Sequence, residues 1–492
     1  MSAAGERGAV GAAGGGRSGD GSAVREGGRR AVIPSGIRGP VHFVGIGGAG
    51  MSALAELLLR GGVPVSGCDA RESAGTRRLA SLGATLHVGH DPAHVAEAGG
   101  VVATAAVPSG HPELAAARAR GIPVWKRAEL LGEVVNRGRV VAVAGTHGKT
   151  STTALAVHLL AEAGLDPTGF VGGPVHGWGG NLRPGGDLYV VEADEFDRSF
   201  LTLEPDVAVV TNLEADHLDV YGDLAGVREG FSRFLARRRP GGRTIVCGDD
   251  PGAAQLLGSL PEAGYTYGVA PGNVLRAAEV ACGPTGTTFR ILEGGRDVGA
   301  AHLPVPGRHP LRNALAAAAV ARFLGVSWEH IRTGWASFPG VGRRFQRLGE
   351  AGGVAVVDDY AHHPTEIAAV LATLRQTYPG RRLVVAFQPH LYTRTRDFAP
   401  AFGEALAAAD QVWITDVFPA REAAIPGVDG ALVASAVTAA GGAVTLHGEV
   451  ATLAAAMADV LRPGDVVATL GAGSIDSVAP ELLGLLRGGE HD

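Results

Sequence analysis

Short apolar runs that stop at glycine or at a polar cluster, and are followed by apolar positions at helical spacing, recur along most of the chain. The run at 41–46, VHFVGI, ends at Gly47-Gly48-Ala49-Gly50, after which Met51, Leu54, Leu57 and Leu58 return every three or four residues. Strand, glycine turn and helix are the reading. Strands at 63–67, 100–105 and 122–125 and helices at 113–119 and 128–135 continue the alternation, and Asn136-Arg137-Gly138 reads as a linker. A second block opens with 140–144, VVAVA, then Gly145-Thr146-His147-Gly148-Lys149-Thr150 and a Thr- and Ala-rich helical pattern. Strands are expected at 187–191 and 207–211, an antiparallel patch over 268–303 and a helix at 311–324. Gly340-Val341-Gly342 reads as a hinge. Strands at 354–357, 383–387, 412–415, 443–446 and 466–470 then alternate with helices, and the last ends in Gly471-Ala472-Gly473-Ser474.

At 492 residues the chain exceeds one core, and about three domains are expected. We divide it at 1–40, 41–138, 139–340 and 341–492. Residues 1–40 carry few large apolar side chains and read as a disordered tail. That stretch lacks the apolar core of a signal peptide, and charges or glycines interrupt the Ala-rich runs at 311–326 and 431–461, so no membrane span is expected. A net charge of −6 gives no footprint for nucleic acid. Cys68, Cys247 and Cys282 are far apart, without metal-ligand spacing, and read as packing residues of a reducing, cytoplasmic protein.

Candidate chemistry concentrates at strand ends. A buried strand that passes through Gly145 and Gly148 into a helix presents backbone N–H groups to an anion, so the loop 145–151 reads as a phosphate site. It is shorter than the usual G-x-x-x-x-G-K-[ST] loop, which argues against a generic GTPase or motor ATPase. Of 43 basic residues only Lys126 and Lys149 are lysine, so lysine at 149 suggests a geometry that arginine's fork does not fit. Lys149 is read as a solvated loop residue with little packing role. Gly45, Gly47 and Gly50 fit G-x-G-x-x-G, with Asp69 about twenty residues on, a pattern that NAD, FAD or a UDP-sugar would satisfy. Glu192-Ala193-Asp194-Glu195 and Asp216-His217-Leu218-Asp219 follow strands expected to share an edge with Lys149, and carboxylates crowded beside a triphosphate need Mg²⁺. His362-His363 lacks a third ligand at zinc spacing, so anion or carboxylate binding is favoured. Arg394 and Arg396 diverge on a helix, so one of them faces the site.

The short Lys149 loop, the two acidic elements and Asp359-Tyr360-Ala361-His362-His363-Pro364-Thr365-Glu366 together resemble the Mur ligase family, from about Val41 to the C-terminus. The resemblance implies an α/β protein of three domains: an N-terminal Rossmann-like UDP-binding domain, a central P-loop ATPase-like domain and a C-terminal Rossmann-like domain. It implies ATP-dependent amide formation through an acyl phosphate in peptidoglycan synthesis, with UDP-N-acetylmuramate, L-alanine and ATP as substrates and Mg²⁺ as cofactor. By position, Lys149, Glu192, His217 and Arg344 match catalytic residues, and Thr150, Glu192 and His217 the metal ligands. Gly145, Thr146, His147, Gly148, Lys149, Thr150, Ser151, Asn313, Arg344 and Asp359 match the ATP site. Gly47, Gly48, Gly50, Met51, Ser52 and Asp69 match the UDP end, and Tyr360, His362 and Arg394 the amino-acid pocket. Several members carry a carbamylated lysine after the D-H-x-D element. None is possible here, which favours the branch that adds the first amino acid or the ligase that recycles whole peptides. Pro310 and Leu391 depart from the family's usual Asn and Arg. The rival readings are an NAD(P)-dependent oxidoreductase built on the Gly45–Gly50 loop and a non-catalytic nucleotide-binding module.

Overall fold

The computed structural model describes residues 39–104, 107–259, 264–420 and 422–488. The tail expected at 1–40 lies outside the described residues but for its last two. The first sheet holds β1 (Val41–Val44), β2 (Val65–Asp69), β3 (Thr85–Val88), β4 (Gly100–Ala103) and β5 (Val124–Lys126), all parallel, in the order β3-β2-β1-β4-β5. Strand order reverses beside β1, which opens a crevice at the carboxyl ends of β1 and β4. β2 and β5 begin two residues later than expected because Pro64 and Pro123 precede them. A proline cannot donate to the ladder, and each serves it only through its carbonyl, to the Val41 and Val101 N–H. β3 was not expected: it lies at the sheet's edge and lacks a buried apolar run.

The central sheet holds β6 (Arg139–Ala144), β7 (Pro167–Val175), β8 (Gly180–Arg183), β9 (Leu188–Glu192), β10 (Val207–Val210), β11 (Arg243–Cys247), β12 (Tyr265–Gly268), β13 (Leu275–Gly283), β14 (Gly286–Glu293) and β15 (Arg296–Leu303). Its order is β15-β14-β13-β12-β11-β10-β6-β9-β7-β8, and β13 to β15 form the antiparallel patch. β10, β6 and β9 are adjacent and parallel, so the polar clusters after these three strands emerge side by side. The Lys149–Glu162 helix packs on the Arg308–Phe323 helix, whose Ala314 and Ala316 to Ala318 are fully buried. Small side chains there let the two helices approach closely.

The third sheet orders β16 (Gln346–Ala351), β17 (Val354–Asp359), β18 (Leu383–Phe387), β19 (Gln411–Thr415), β20 (Val444–Gly448) and β21 (Val466–Leu470) as β16-β17-β21-β18-β19-β20. β16 is an antiparallel edge strand that its polar residues concealed. Among the described residues no helix is long and apolar enough to cross a membrane.

One apolar cluster runs from Val41, Leu54, Leu130 and Val134 of the first domain into Val140, Ala142 and Phe200 of the second. The expected linker is accordingly pinned: the Asn136 side chain donates to the Thr202 carbonyl and accepts from the Glu204 N–H, both at 2.9 Å. The third sheet has its own clusters. Cys247 is buried in the central core, as a packing residue is, but Cys68 is not plain filler, since its thiol donates to the Glu113 carboxylate at 3.0 Å. Leu130→Ala, at a fully buried position of the shared cluster, is expected to cost about 2–5 kcal/mol. In calorimetry it should shift one transition that includes the nucleotide loop. A first domain that melts alone, leaving the loop's protease protection unchanged, would contradict the shared core.

Candidate active site

The loop between β6 and the Lys149–Glu162 helix turns on two glycines with positive φ, Gly145 at 142° and Gly148 at 79°. A Cβ at Gly145 would lie 1.9 Å from Thr211 Oγ1, and one at Gly148 2.5 Å from Asn313 Oδ1. Side chains from two other elements therefore press on the loop from opposite ends. Thr211 Oγ1 donates to the His147 carbonyl at 2.6 Å, and Asn212 both accepts from the His147 N–H at 2.7 Å and donates to its carbonyl at 3.0 Å. The loop is thus clamped by the end of β10, and the free N–H groups at the helix start face outward as an anion site.

Lys149 is not solvated, contrary to the expectation from sequence. Its ammonium donates to the carbonyls of Gly145 at 2.6 Å and Thr146 at 3.2 Å and pairs with Glu195 at 2.8 Å. Burial alone would depress its pKa, but the carboxylates of Glu195, Asp194 and Glu192 outweigh burial and hold it above the usual lysine range. Burial pushes Glu195 up to about 7 against the pull of Lys149. The reason is the neighbouring strand end: β9 delivers these carboxylates directly beside β6. Thr150 Oγ1 donates to Glu192 Oε1 at 3.0 Å, and the other Glu192 oxygen accepts from the Gly172 N–H on β7 at 2.6 Å. His217, at φ 53°, stands 3.7 Å from Glu195 and 3.8 Å from Asp216, and burial lowers its pKa so that the imidazole is neutral at pH 7.

Polar contacts tie this centre to the third domain. His147 Nδ1 lies 3.1 Å from Glu366 and its Nε2 3.5 Å from Glu214. Burial would lower its pKa, but Glu366 and Glu214 raise it to about 9, so it is an imidazolium bridging two domains. Thr365 donates to Glu214 at 2.8 Å, and Arg394 donates to Asp216 at 3.4 Å. Arg394 is nearly buried, while Arg396 points outward to Asp397. The two adjacent histidines diverge. His362 contacts Glu366 at 3.3 Å, and burial takes its pKa to about 3. His363 turns to His147 and Glu214, so the fold gathers donors that spacing alone did not show. Tyr360 is covered by the guanidinium groups of Arg343 and Arg344, 5.2 and 5.1 Å from its ring centroid.

An open cleft separates Gly148, Ser151 and Asn313 from Arg344, Asp359 and Glu366, with Leu155, Leu303, Phe338 and Val370 as apolar walls. Apolar walls with a few convergent polar groups suit a nucleoside. Asp359 accepts from the Phe345 and Ala361 N–H groups at 2.6 and 2.8 Å, and burial raises it to about 6. Pro310 lies in the first turn of its helix, where no N–H bond is lost, and lines the cleft beside His309.

At the first sheet, the Gly47 N–H donates to Asp69 at 2.8 Å, and Ser52 donates to the Ala49 carbonyl at 3.1 Å. Gly48 is exposed, and the Met51 side chain is buried beneath the loop, its Cγ 3.9 Å from where a Cβ on Gly48 would lie. A second cleft runs from Gly50 past Arg127 and Gly172 to Glu192 and Asp194. Glu195, Glu214, Asp216 and Glu366 had no assigned role although each stands in or beside a quoted motif, and Glu366 reads first as the acid of a helix capping box. Arg127 carries no sequence signal.

Residues 40–139 match the profile described as Mur ligase family, catalytic domain, residues 143–321 the Mur ligase middle domain, and residues 343–473 the Mur ligase, glutamate ligase domain. The chain is 46% identical over 440 residues to the UDP-N-acetylmuramate–L-alanine ligase of Oleidesulfovibrio alaskensis, covering 89% of this chain and 97% of that protein. It is 46% identical over 449 residues to the protein of the same name from Acidothermus cellulolyticus, covering 90% and 94%. Among solved structures it is similar to UDP-N-acetylmuramate-alanine ligase from Thermotoga maritima, with a TM-score of 0.79 and 27% identity over 92% of this chain and 100% of that one.

Because its folded pKa is raised, the contribution of His147 to stability is complete below about pH 6.5 and is lost as pH rises through about 9. Between pH 7 and 10 the wild type should lose on the order of 3 kcal/mol that His147→Gln does not. Parallel melting curves for both proteins over that range would refute the bridge.

Proposed function

Because the chain belongs to the Mur ligase family, we propose that it is an ATP-dependent ligase that joins the amino group of L-alanine to the carboxylate of UDP-N-acetylmuramate, releasing ADP and phosphate, in peptidoglycan synthesis. The observation that carries this reading is that one short stretch of the phosphate loop serves both clefts: Gly148 and Ser151 line the first, and Thr150 between them donates to Glu192, which lines the second. A phosphate donor enters from the side of Ser151 and Asn313, and an acid attached to a nucleotide enters from the side of Gly50 and Arg127. A cytoplasmic location fits these substrates. We take 41–138 as the sugar-nucleotide domain, 139–340 as the ATP domain and 341–492 as the amino-acid domain.

A carboxylate does not condense with an amine at neutral pH until one oxygen becomes a leaving group. In the proposed reaction that oxygen attacks the γ-phosphorus and the bond to ADP breaks. The amine nitrogen, once its ammonium has lost a proton to solvent, attacks the acyl carbon; phosphate leaves, and the nitrogen gives up a second proton and keeps the third as the amide N–H. Lys149 moves from the Gly145 and Thr146 carbonyls onto the triphosphate, offsetting charge where it develops. Arg344, 4.0 Å from Glu366 at the cleft wall, completes that field.

Thr150 and Glu192 would hold Mg²⁺, with His217 as the third ligand that the family resemblance implies. The Thr150 and Glu192 oxygens are 3.0 Å apart, close to the edge of about 2.9 Å in an octahedron with bonds of about 2.0–2.1 Å. When bound, Mg²⁺ supplies charge neutralisation for the phosphates. Asn313 and Asp359 hold the nucleoside, and Gly47, Gly48, Gly50, Met51, Ser52 and Asp69 the UDP end. Tyr360, His362 and Arg394 form the amino-acid pocket, in which Arg394 exchanges Asp216 for the alanine carboxylate.

Phosphate release with ATP and UDP-N-acetylmuramate is expected with L-alanine and not with L-Ala-γ-D-Glu-meso-diaminopimelate. Release with the tripeptide alone would assign the recycling reaction, and tighter binding of NADH than of UDP would assign an oxidoreductase. Lys149→Ala should lower turnover at least about 100-fold, with Glu195, already near neutrality, taking up a proton in place of its partner. Turnover within tenfold would remove the phosphate role. Arg394→Ala should raise the alanine KM about tenfold or more while leaving that for ATP within about twofold, and equal effects on both would contradict the pocket.

A further inference from the structure

On β1 and β2, side chains alternate between two faces. Val41 and Phe43 join the core shared with the central sheet, whereas Val44 and Cys68 face the other way, under the Pro112–Ala119 helix and the turn at Pro92–Val95. On that second face lies a group of donors that the ligase reaction does not use. Glu113 is fully buried at its centre. One carboxylate oxygen accepts from the Asp91 N–H at 3.1 Å and lies 2.8 Å from His94 Nδ1. The other accepts from the Cys68 thiol at 3.0 Å, with His90 and His111 at 3.5 and 3.8 Å. His42, also fully buried, is fixed through Nδ1 to Ser66 Oγ at 3.0 Å, and its Nε2 has no hydrogen-bond partner among the described residues.

We propose that this face of the first domain carries a zinc-class metal site formed by His42, Cys68, His94 and Glu113. One donor atom from each lies within 4.8 Å of the other three. A tetrahedral Zn²⁺ with bonds of about 2.0–2.3 Å requires each donor to close by less than about 1 Å. Two imidazoles, a thiolate and one carboxylate select Zn²⁺ or a similar transition ion over Mg²⁺ or Ca²⁺, which take oxygen ligands. The bond from His42 to Ser66 orients the ring, as partners of ligating histidines do. A surface groove lined by Ser66, Thr85, His87 and His94 gives a path from solvent. On binding, the Cys68 sulfur gives its proton to solvent and Glu113 exchanges the thiol hydrogen bond for a bond to the metal. The dication, thiolate and carboxylate then sum to zero charge inside the domain. This site is independent of the ligase reading.

Co²⁺ added to the metal-free full-length protein tests it. The expected result is a thiolate-to-cobalt charge-transfer absorption that saturates at one equivalent and disappears when Zn²⁺ is added. It should be absent in Cys68→Ser and retained in Cys247→Ser and Cys282→Ser. His94→Gln, at a partly accessible position, should weaken Co²⁺ binding at least about tenfold, and serves where Cys68→Ser does not fold. Absence of the band in the wild type, or an undiminished band in Cys68→Ser, overturns the proposal.

Discussion

The buried ion pair between Lys149 and Glu195 is the constraint around which the catalytic centre is built. An ammonium withdrawn from water must be paired and hydrogen-bonded, and here it is held by one carboxylate and two carbonyls of its own loop. Three features follow. β9 must lie beside β6 to bring Glu195 within reach, the loop must turn through Gly145 and Gly148, and Thr211 and Asn212 at the end of β10 must clamp its outer side. In this arrangement the lysine fills its own loop. A triphosphate has to draw it away from groups that already satisfy it, and Glu195 near neutrality lowers the cost of that release by accepting a proton.

The joints between domains differ in kind, and that difference suits the reaction. The first two domains share apolar core, so the Gly45–Gly50 loop and the Gly145–Ser151 loop keep a fixed separation. The third meets the second through His147 with Glu366, Thr365 with Glu214, and Arg394 with Asp216. Polar contacts of this sort exchange readily with substrate groups. An amino acid and a nucleotide can therefore enter between two bodies joined by charges that the ligands themselves can replace.

Most of the architecture was legible because buried parallel strands read as apolar runs and their ends carry the glycines and acids that chemistry needs. β3, β8 and β16 escaped because they are edge or hairpin strands with polar or glycine-rich residues, in which burial leaves no pattern, and β7, β11 and β12 were also not expected, although β11 is a buried parallel strand. At the site, the residue types in the phosphate loop and the acidic strand ends announced themselves. Their pairings did not: nothing local in the sequence brings Glu195 to Lys149, or Glu366 to His147 across 219 positions. Cys68 was read as filler because its partners, His42, His94 and Glu113, come from three other segments and meet only on the folded sheet.

The account is tested most directly by a crystal structure with Mn²⁺ and a non-hydrolysable ATP analogue. It predicts the triphosphate along the N–H groups of 148–151, Lys149 Nζ moved from the Gly145 and Thr146 carbonyls onto phosphate oxygens, and the manganese anomalous peak between Thr150 and Glu192. A triphosphate bound elsewhere, or one bound in the loop with Lys149 still on its own carbonyls, would contradict it.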